Sequence, residues 1–281
     1  MDPQVKSRVH HESVAEEDIE LDLLLRAIFL KFHYDFRHYA RSSLRRRLES
    51  ARVAFDCRNL SALQERVLHD DGAFTALLRF LTVQVSDLFR DAEYFYTLRR
   101  EIVPVLQTYP QLRVWVAGCS TGEEAYSHAI IFAEEGLLDK TTIYATDINR
   151  ESLNIAEAGV YSIERLQTFT DNHHRSGASV PLSTHYTAGY GSIVFRRTLR
   201  EKILFSDHSL ATDGVFAEMQ VISCRNVLIY FERALQNHAL GLFKDSLCRR
   251  GYLGLGAPET LRFTDHEHDF TEVAQRWHKR C

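Results

Sequence analysis

Four short stretches of the chain carry residue types at spacings that could do chemistry. The first is the turn Gly118-Cys119-Ser120-Thr121-Gly122, followed at once by Glu123 and Glu124. A phosphate-binding loop needs Lys and Ser/Thr after its last glycine, and the dinucleotide fingerprint needs glycine where this chain has Ser120 and Glu123. Two carboxylates at a helix N-terminus stand where an anion would sit. A ligand with positive charge and no phosphate suits this turn. S-adenosylmethionine, with its sulfonium, ammonium and ribose diol, is such a ligand. The second stretch ends at Asp147, placed to accept both ribose hydroxyls. The third is Asp207-His208-Ser209-Leu210 and the fourth Cys224-Arg225-Asn226. All four follow predicted strands, and ligands of open α/β sheets lie beyond the carboxyl ends of the strands.

Other reactive residue types read as structure. Cys119 and Cys224 have no neighbouring His to activate them and are expected as small packing residues. The five cysteines show no CxxC spacing, as in a reducing compartment. His266 and His268 have no partner cluster, so no metal is expected. Trp115 and Tyr144 are expected in the core.

Two kinds of element must position these residues. The first dozen residues are polar and expected to be frayed. From Asp18 the spacing of Leu21, Leu25, Ile28 and Phe32 predicts one helical face. Further helices are predicted over Tyr39–Phe55, with Leu44, Leu48 and Ala51 buried, then over Leu60–Leu68 and Phe74–Leu81. After Pro110, strands alternate with amphipathic helices, which predicts a mostly parallel, doubly wound sheet. The strands are Val114–Val116, Thr142–Thr146, Ile203–Phe205, Val221–Ser223 and Tyr252–Leu255. The helices are expected from Glu123 to near Gly136, over Glu151–Ala158 and over Glu232–Cys248. Between Gly159 and Lys202 the alternation breaks, and Gly189-Tyr190-Gly191 predicts a small antiparallel insertion. The organisation is then an all-helical domain over residues 1–90 and a connecting segment to about 110. An α/β domain follows over 111–281, with the β insertion at about 160–202.

The net charge of -4 argues against general nucleic-acid binding. No apolar run of membrane-spanning length and no signal segment is found, so a cytoplasmic location is expected. Charge is uneven, however. Six arginines fall between Arg37 and Arg52 against the single acid Glu49, which points to a contact surface for something acidic.

Taken together these stretches resemble the chemoreceptor methyltransferases of the CheR family over nearly the whole chain. The likeness is carried by the segments Leu81-Thr82-Val83-Gln84-Val85-Ser86-Asp87-Leu88-Phe89-Arg90 and Ala117 through Glu124, then Ala145-Thr146-Asp147-Ile148-Asn149. Most specific is Ile222-Ser223-Cys224-Arg225-Asn226-Val227-Leu228-Ile229-Tyr230-Phe231. The resemblance implies a helical N-terminal domain, an S-adenosylmethionine domain and an inserted β-subdomain. It also implies methyl-ester formation on glutamate side chains of receptor helices, with S-adenosylhomocysteine as product. By position, Gln84, Ser86 and Arg90 close over the cofactor, with Arg90 pairing with its carboxylate. Gly118 belongs to the cofactor turn, and Glu124 and Asp147 hold polar groups. Ser209 and Leu210 line the adenine side, and Cys224, Arg225 and Asn226 lie at the neighbouring strand end. Arg225 and Tyr230 are the catalytic candidates, positioning substrate or methyl donor. The chain departs from the family pattern at Leu88-Phe89-Arg90, Ser209-Leu210 and Gly256-Ala257-Pro258-Glu259.

The chemistry agrees with that reading. A glutamate carboxylate, with a pKa of about 4.3, is already a nucleophile at neutral pH and needs no general base. The alternative functions are a module that senses S-adenosylmethionine without turnover and a methyltransferase for a small molecule or nucleic acid. The expected partner is a receptor's methylation helices, met by the basic helix Arg41–Arg52. The connection Ala188-Gly189-Tyr190-Gly191-Ser192 is short, so no C-terminal pentapeptide tether is expected. The protein is expected to act as a monomer, without membrane insertion.

Overall fold

The computed structural model describes residues 15–281, so the expectation of a frayed start falls on residues 1–14, outside it. The chain begins with α1 (Glu16–Phe32), α2 (Arg41–Ala54), α3 (Leu60–His69) and α4 (Ala73–Leu81). Helix α1 buries Leu21, Leu24, Leu25 and Ile28, a stripe at helical spacing. The side chain of Asn59 caps α3 by accepting the Ala62 N–H at 2.9 Å. These stripes, with Leu44, Leu48, Leu63, Val67, Leu77 and Leu81, close into a hydrophobic core separate from the sheet.

The next segment differs from the expected connector. It folds into α5 (Ala92–Thr97), a π-helical turn over Leu98–Ile102 and α6 (Val103–Leu106). Tyr94, Phe95, Leu98, Ile102 and Leu106 are buried in the core of the sheet domain. Pro104 and the changes of helical pitch break any regular period across this stretch.

The sheet domain runs β1 (Leu112–Ala117), α7 (Glu123–Glu134), β2 (Thr141–Asp147), α8 (Arg150–Ala158), β3 (Val160–Ser162), α9 (Leu166–Arg175), β4 (Tyr186–Gly189) and β5 (Ser192–Phe195). It continues through α10 (Arg197–Arg200), β6 (Ile203–Asp207), β7 (Met219–Cys224), α11 (Arg233–Ser246), β8 (Leu247–Leu255), β9 (Phe270–Ala274) and β10 (Trp277–Arg280). The main sheet has seven strands in the order β6-β2-β1-β7-β8-β10-β9. Strands β6 through β8 are parallel, and β10 pairs antiparallel with both β8 and β9. The inserted β3, β5 and β4 form a small antiparallel sheet. The doubly wound fold, the β insertion and the helical start match the sequence reading.

Two details differ. Helix α11 stops at Ser246 because Leu247 already pairs with Met219 in the sheet. The β9–β10 hairpin was not anticipated: its residues are mostly polar, and Trp277, fully buried, anchors it. Among the described residues no helix is long and apolar enough to cross a membrane.

The chain leaves β1 for β2 and then β6 on one side, and returns to β7 on the other. Ligands bind at such a reversal. The helical module is stitched to this edge: Ala40 N–H donates to the Tyr230 carbonyl at 2.7 Å and Glu232 N–H to that of His38 at 2.9 Å.

Candidate active site

Beyond the ends of β1, β2, β6 and β7 lies an open cleft. The turn after β1 forms its floor. Gly118 has φ +72°, and a Cβ there would lie 2.4 Å from Val227 Cγ2, so only glycine fits. Asp147, at the end of β2, accepts the Ser120 N–H at 2.8 Å and the Asn149 N–H at 2.9 Å. Burial pushes its carboxyl up, offset in part by these and the Ile148 backbone hydrogen bonds. Both oxygens keep lone pairs for a ligand.

The two glutamates after the turn part ways. Glu123 is fully buried, accepting from Thr121 Oγ1 at 2.7 Å and from Arg165 Nη1 at 2.6 Å. Arg165 also bridges to the Ser86 carbonyl and to Asp87, fixing the segment that joins α4 to the sheet domain. Glu123 therefore holds the wall and does not face the ligand. Glu124 lines the cleft, accepting from Ser223 Oγ at 2.6 Å and from Arg225 Nη1 at 3.0 Å.

Arg225 also lines the cleft, with its guanidinium engaged by protein groups. Its guanidinium is 1% exposed and pairs with Glu124 and with Asp91 at 2.8 Å. It also donates to the Arg90 carbonyl at 2.7 Å and lies 4.2 Å from the Tyr94 ring centroid. Two carboxylates pair with it, and it ties Glu124 to the Arg90 backbone.

Of the remaining candidates, Gln84, Ser86, Arg90, Leu210, Asn226 and Tyr230 lie in the cleft wall, with Arg90 Nη1 donating to the Val85 carbonyl. Ser209 and Cys224 do not. Ser209 Oγ accepts the Ala211 N–H, and its neighbour His208 takes the cleft position against Trp115 and Phe216. Cys224 is fully buried in the core, and burial pushes its thiol and that of Cys119 well up, which makes both unreactive. Trp115 is core as expected, its Nε1 donating to Thr146 Oγ1 at 2.8 Å.

Sequence reasoning missed Tyr39 and Ser152 among the lining residues, and it named Ile148, His208 and Phe231 only as parts of their segments, without a place in the cleft. It also missed the support beneath them. Both Glu259 oxygens accept backbone N–H groups: Asn226 and Gly256 on Oε2 at 3.0 and 2.6 Å, Val227 and Leu228 on Oε1 at 2.9 and 2.8 Å. Burial pushes this carboxyl up and the four donors oppose the rise. This clamp holds Asn226 at φ 59°. The helix of interest on the other wall also corrects the sequence reading. Arg47 is buried on the same face as Leu44, Leu48 and Ala51, its guanidinium 4.3 Å from the Tyr230 ring centroid. Arg41 pairs with Asp22, Arg45 with Asp18 and Arg52 with Glu49.

The cleft fits S-adenosylmethionine. Among the described residues its lining contains no lysine, and its acids are Glu124 and Asp147. Ser120 Oγ, Ser152 Oγ and His208 Nδ1, all on lining residues, have no hydrogen-bond partner within the protein. A doubly wound sheet with a cleft of this lining at its switch point is the architecture of an S-adenosylmethionine-dependent methyltransferase, and the family match places the chain in that class. The chain belongs to the CheR methyltransferase family: residues 19–82 match its all-alpha domain and residues 84–279 its SAM binding domain. It is 52% identical over 258 residues to Cher3 of Pseudomonas putida, covering 92% of this chain and 94% of that one. It is 28% identical to the chemotaxis protein methyltransferase of Listeria innocua, over 91% and 90% of the two chains. To chemotaxis protein methyltransferase 2 of Pseudomonas aeruginosa it is 30% identical, over 76% and 75%.

Proposed function

We propose that the protein esterifies glutamate side chains on the methylation helices of a chemoreceptor or a related signalling protein. The observation that carries this reading is the junction of the two domains at the cleft. Tyr39, immediately before the arginine-rich α2, shares the cleft wall with Tyr230 and Phe231. A partner on α2 therefore reaches the methyl-transfer position directly, and an acidic protein helix suits that surface better than a small molecule.

When bound, S-adenosylmethionine supplies an electrophilic methyl carbon on its sulfonium sulfur. Arg90 takes the cofactor's carboxylate, and Asp147 accepts from the ribose hydroxyls. His208 and Leu210 flank the base. Glu124, held by Arg225 and Ser223, stabilises positive charge. Tyr39, Tyr230 and Phe231 exclude water from the line of attack. An ionised glutamate needs no base, so orientation and desolvation are the residues' whole task. Arg225 acts as a positioning residue and Tyr230 as a wall of the acceptor's approach.

Of the α2 arginines, Arg41, Arg45 and Arg46 are exposed. Exposed pairs such as Arg45 with Asp18 contribute at most about 1 kcal/mol, so an acidic helix can compete for them. The β4–β5 connection is the two-residue turn Tyr190-Gly191, with φ of 51° and 75° and Gly189 paired to Ser192. So tight a turn supports recognition without a peptide tether. The test is incubation with methyl-labelled S-adenosylmethionine and receptor-bearing membranes. Label in the receptor band is expected. Cofactor binding with no label in any band supports the sensing module instead.

A further inference from the structure

Outside the cleft, three ligand-type side chains from distant parts of the chain converge. Glu134 ends α7, His173 lies on α9, and His185 ends the turn that leads into β4. Nε2 of His173 lies 2.8 Å from Glu134 Oε1 and Nε2 of His185 lies 2.9 Å from the same oxygen. The three ligand atoms all fall within 4.8 Å of one another. Glu134 and His173 are each 3% exposed and His185 is 12% exposed, so the cluster is closed on all but one side.

We propose that Glu134, His173 and His185 form a binding site for a zinc ion. Two imidazole nitrogens and one carboxylate oxygen are a donor set that Zn²⁺ takes, with a fourth position left for water. Entry is on the side of His185. The second oxygen of Glu134 accepts from Arg99 Nη2 at 2.7 Å, and Arg99 Nη1 reaches Glu135 at 2.6 Å. Arg99 thus leaves Oε1 to the metal and fixes the carboxylate from behind, as outer-shell partners of metal ligands do. Glu135 offsets the charge of Arg99 beside a cation. In the metal-free protein each imidazole donates its Nε2–H to Glu134. The ion would tie the inserted subdomain, through His185 and α9, to α7 of the main sheet.

The test uses the full chain, freed of any histidine tag and stripped with chelator, titrated with ZnCl₂ by calorimetry. Thermal unfolding is followed in parallel, and Co²⁺ serves as a visible probe. The site predicts one equivalent bound at micromolar zinc, a rise in Tm, and a Co²⁺ spectrum without thiolate charge-transfer bands. His185→Gln keeps a donor to Glu134, and so the metal-free network, while removing an imidazole ligand. It should weaken zinc binding at least roughly tenfold and leave S-adenosylmethionine binding unchanged. No binding at micromolar zinc, or binding that His185→Gln leaves intact, overturns the proposal.

Discussion

Glu124 and Arg225 face each other at 3.0 Å across the base of the cleft, joining the helix after β1 to the loop after β7. The pair spans the switch point of the sheet, so the two stretches that looked most chemical in the sequence are bound to one another. Arg225→Met leaves Glu124 without its cation and Asp91 with only Arg276, 3.9 Å away. Removing one partner of a buried pair costs about 3 kcal/mol, which urea unfolding would read. Unchanged stability with lost methylation would instead mean that Arg225 acts on substrate alone.

Glu259 is the second positioning residue. Glu259→Gln cannot accept from all four backbone donors, and a strained Asn226 loop loses part of its support. A loss of about 2 kcal/mol in stability is expected, with weaker cofactor binding by calorimetry. Unchanged values for both would show that the loop holds its own shape.

His128 contributes to the response to acid. It is fully buried and both ring nitrogens lack partners. Burial, then the nearby Arg225 charge, lower its pKa from 6.5 to about 3. The unfolded chain takes up a proton below 6.5 that the folded chain refuses until about 3, so this group destabilises the fold progressively as pH falls through that window. At pH 5.5 the loss is about 1.4 kcal/mol. His128→Leu should flatten the profile between pH 7 and 5 without lowering stability at pH 7. An equally steep profile in the variant would assign the acid response to other groups.

The arginine-rich helix gives a separable test of partner choice. Arg45→Glu with Arg46→Glu should strongly reduce receptor methylation while cofactor affinity stays nearly constant. Arg47 must be left alone, because its burial would confound the result. Equal loss of cofactor binding would make the helix structural.

The burial of Arg47 was legible in the sequence, since it falls three residues from Leu44 and four from Ala51 on one helical stripe. The doubly wound sheet and the glycine turn were legible for the same reason: both are local patterns. The pairing of Arg41 and Arg45 with α1 was not, because it depends on how two helices pack. Glu134, His173 and His185 lie 39 and 51 residues apart in sequence and meet only through the β insertion. At His208 and Ser209 a shift of one residue decided which side chain faces the cleft, a precision that spacing does not carry.

The chemical nature of the transferred methyl group tests the central claim most directly. Labelled receptor, produced with this protein and methyl-labelled S-adenosylmethionine, is treated with mild alkali and the volatile fraction is counted. A glutamate methyl ester releases its label as methanol, and that is the result expected here. Label that stays on the receptor through the treatment would contradict carboxylate methylation.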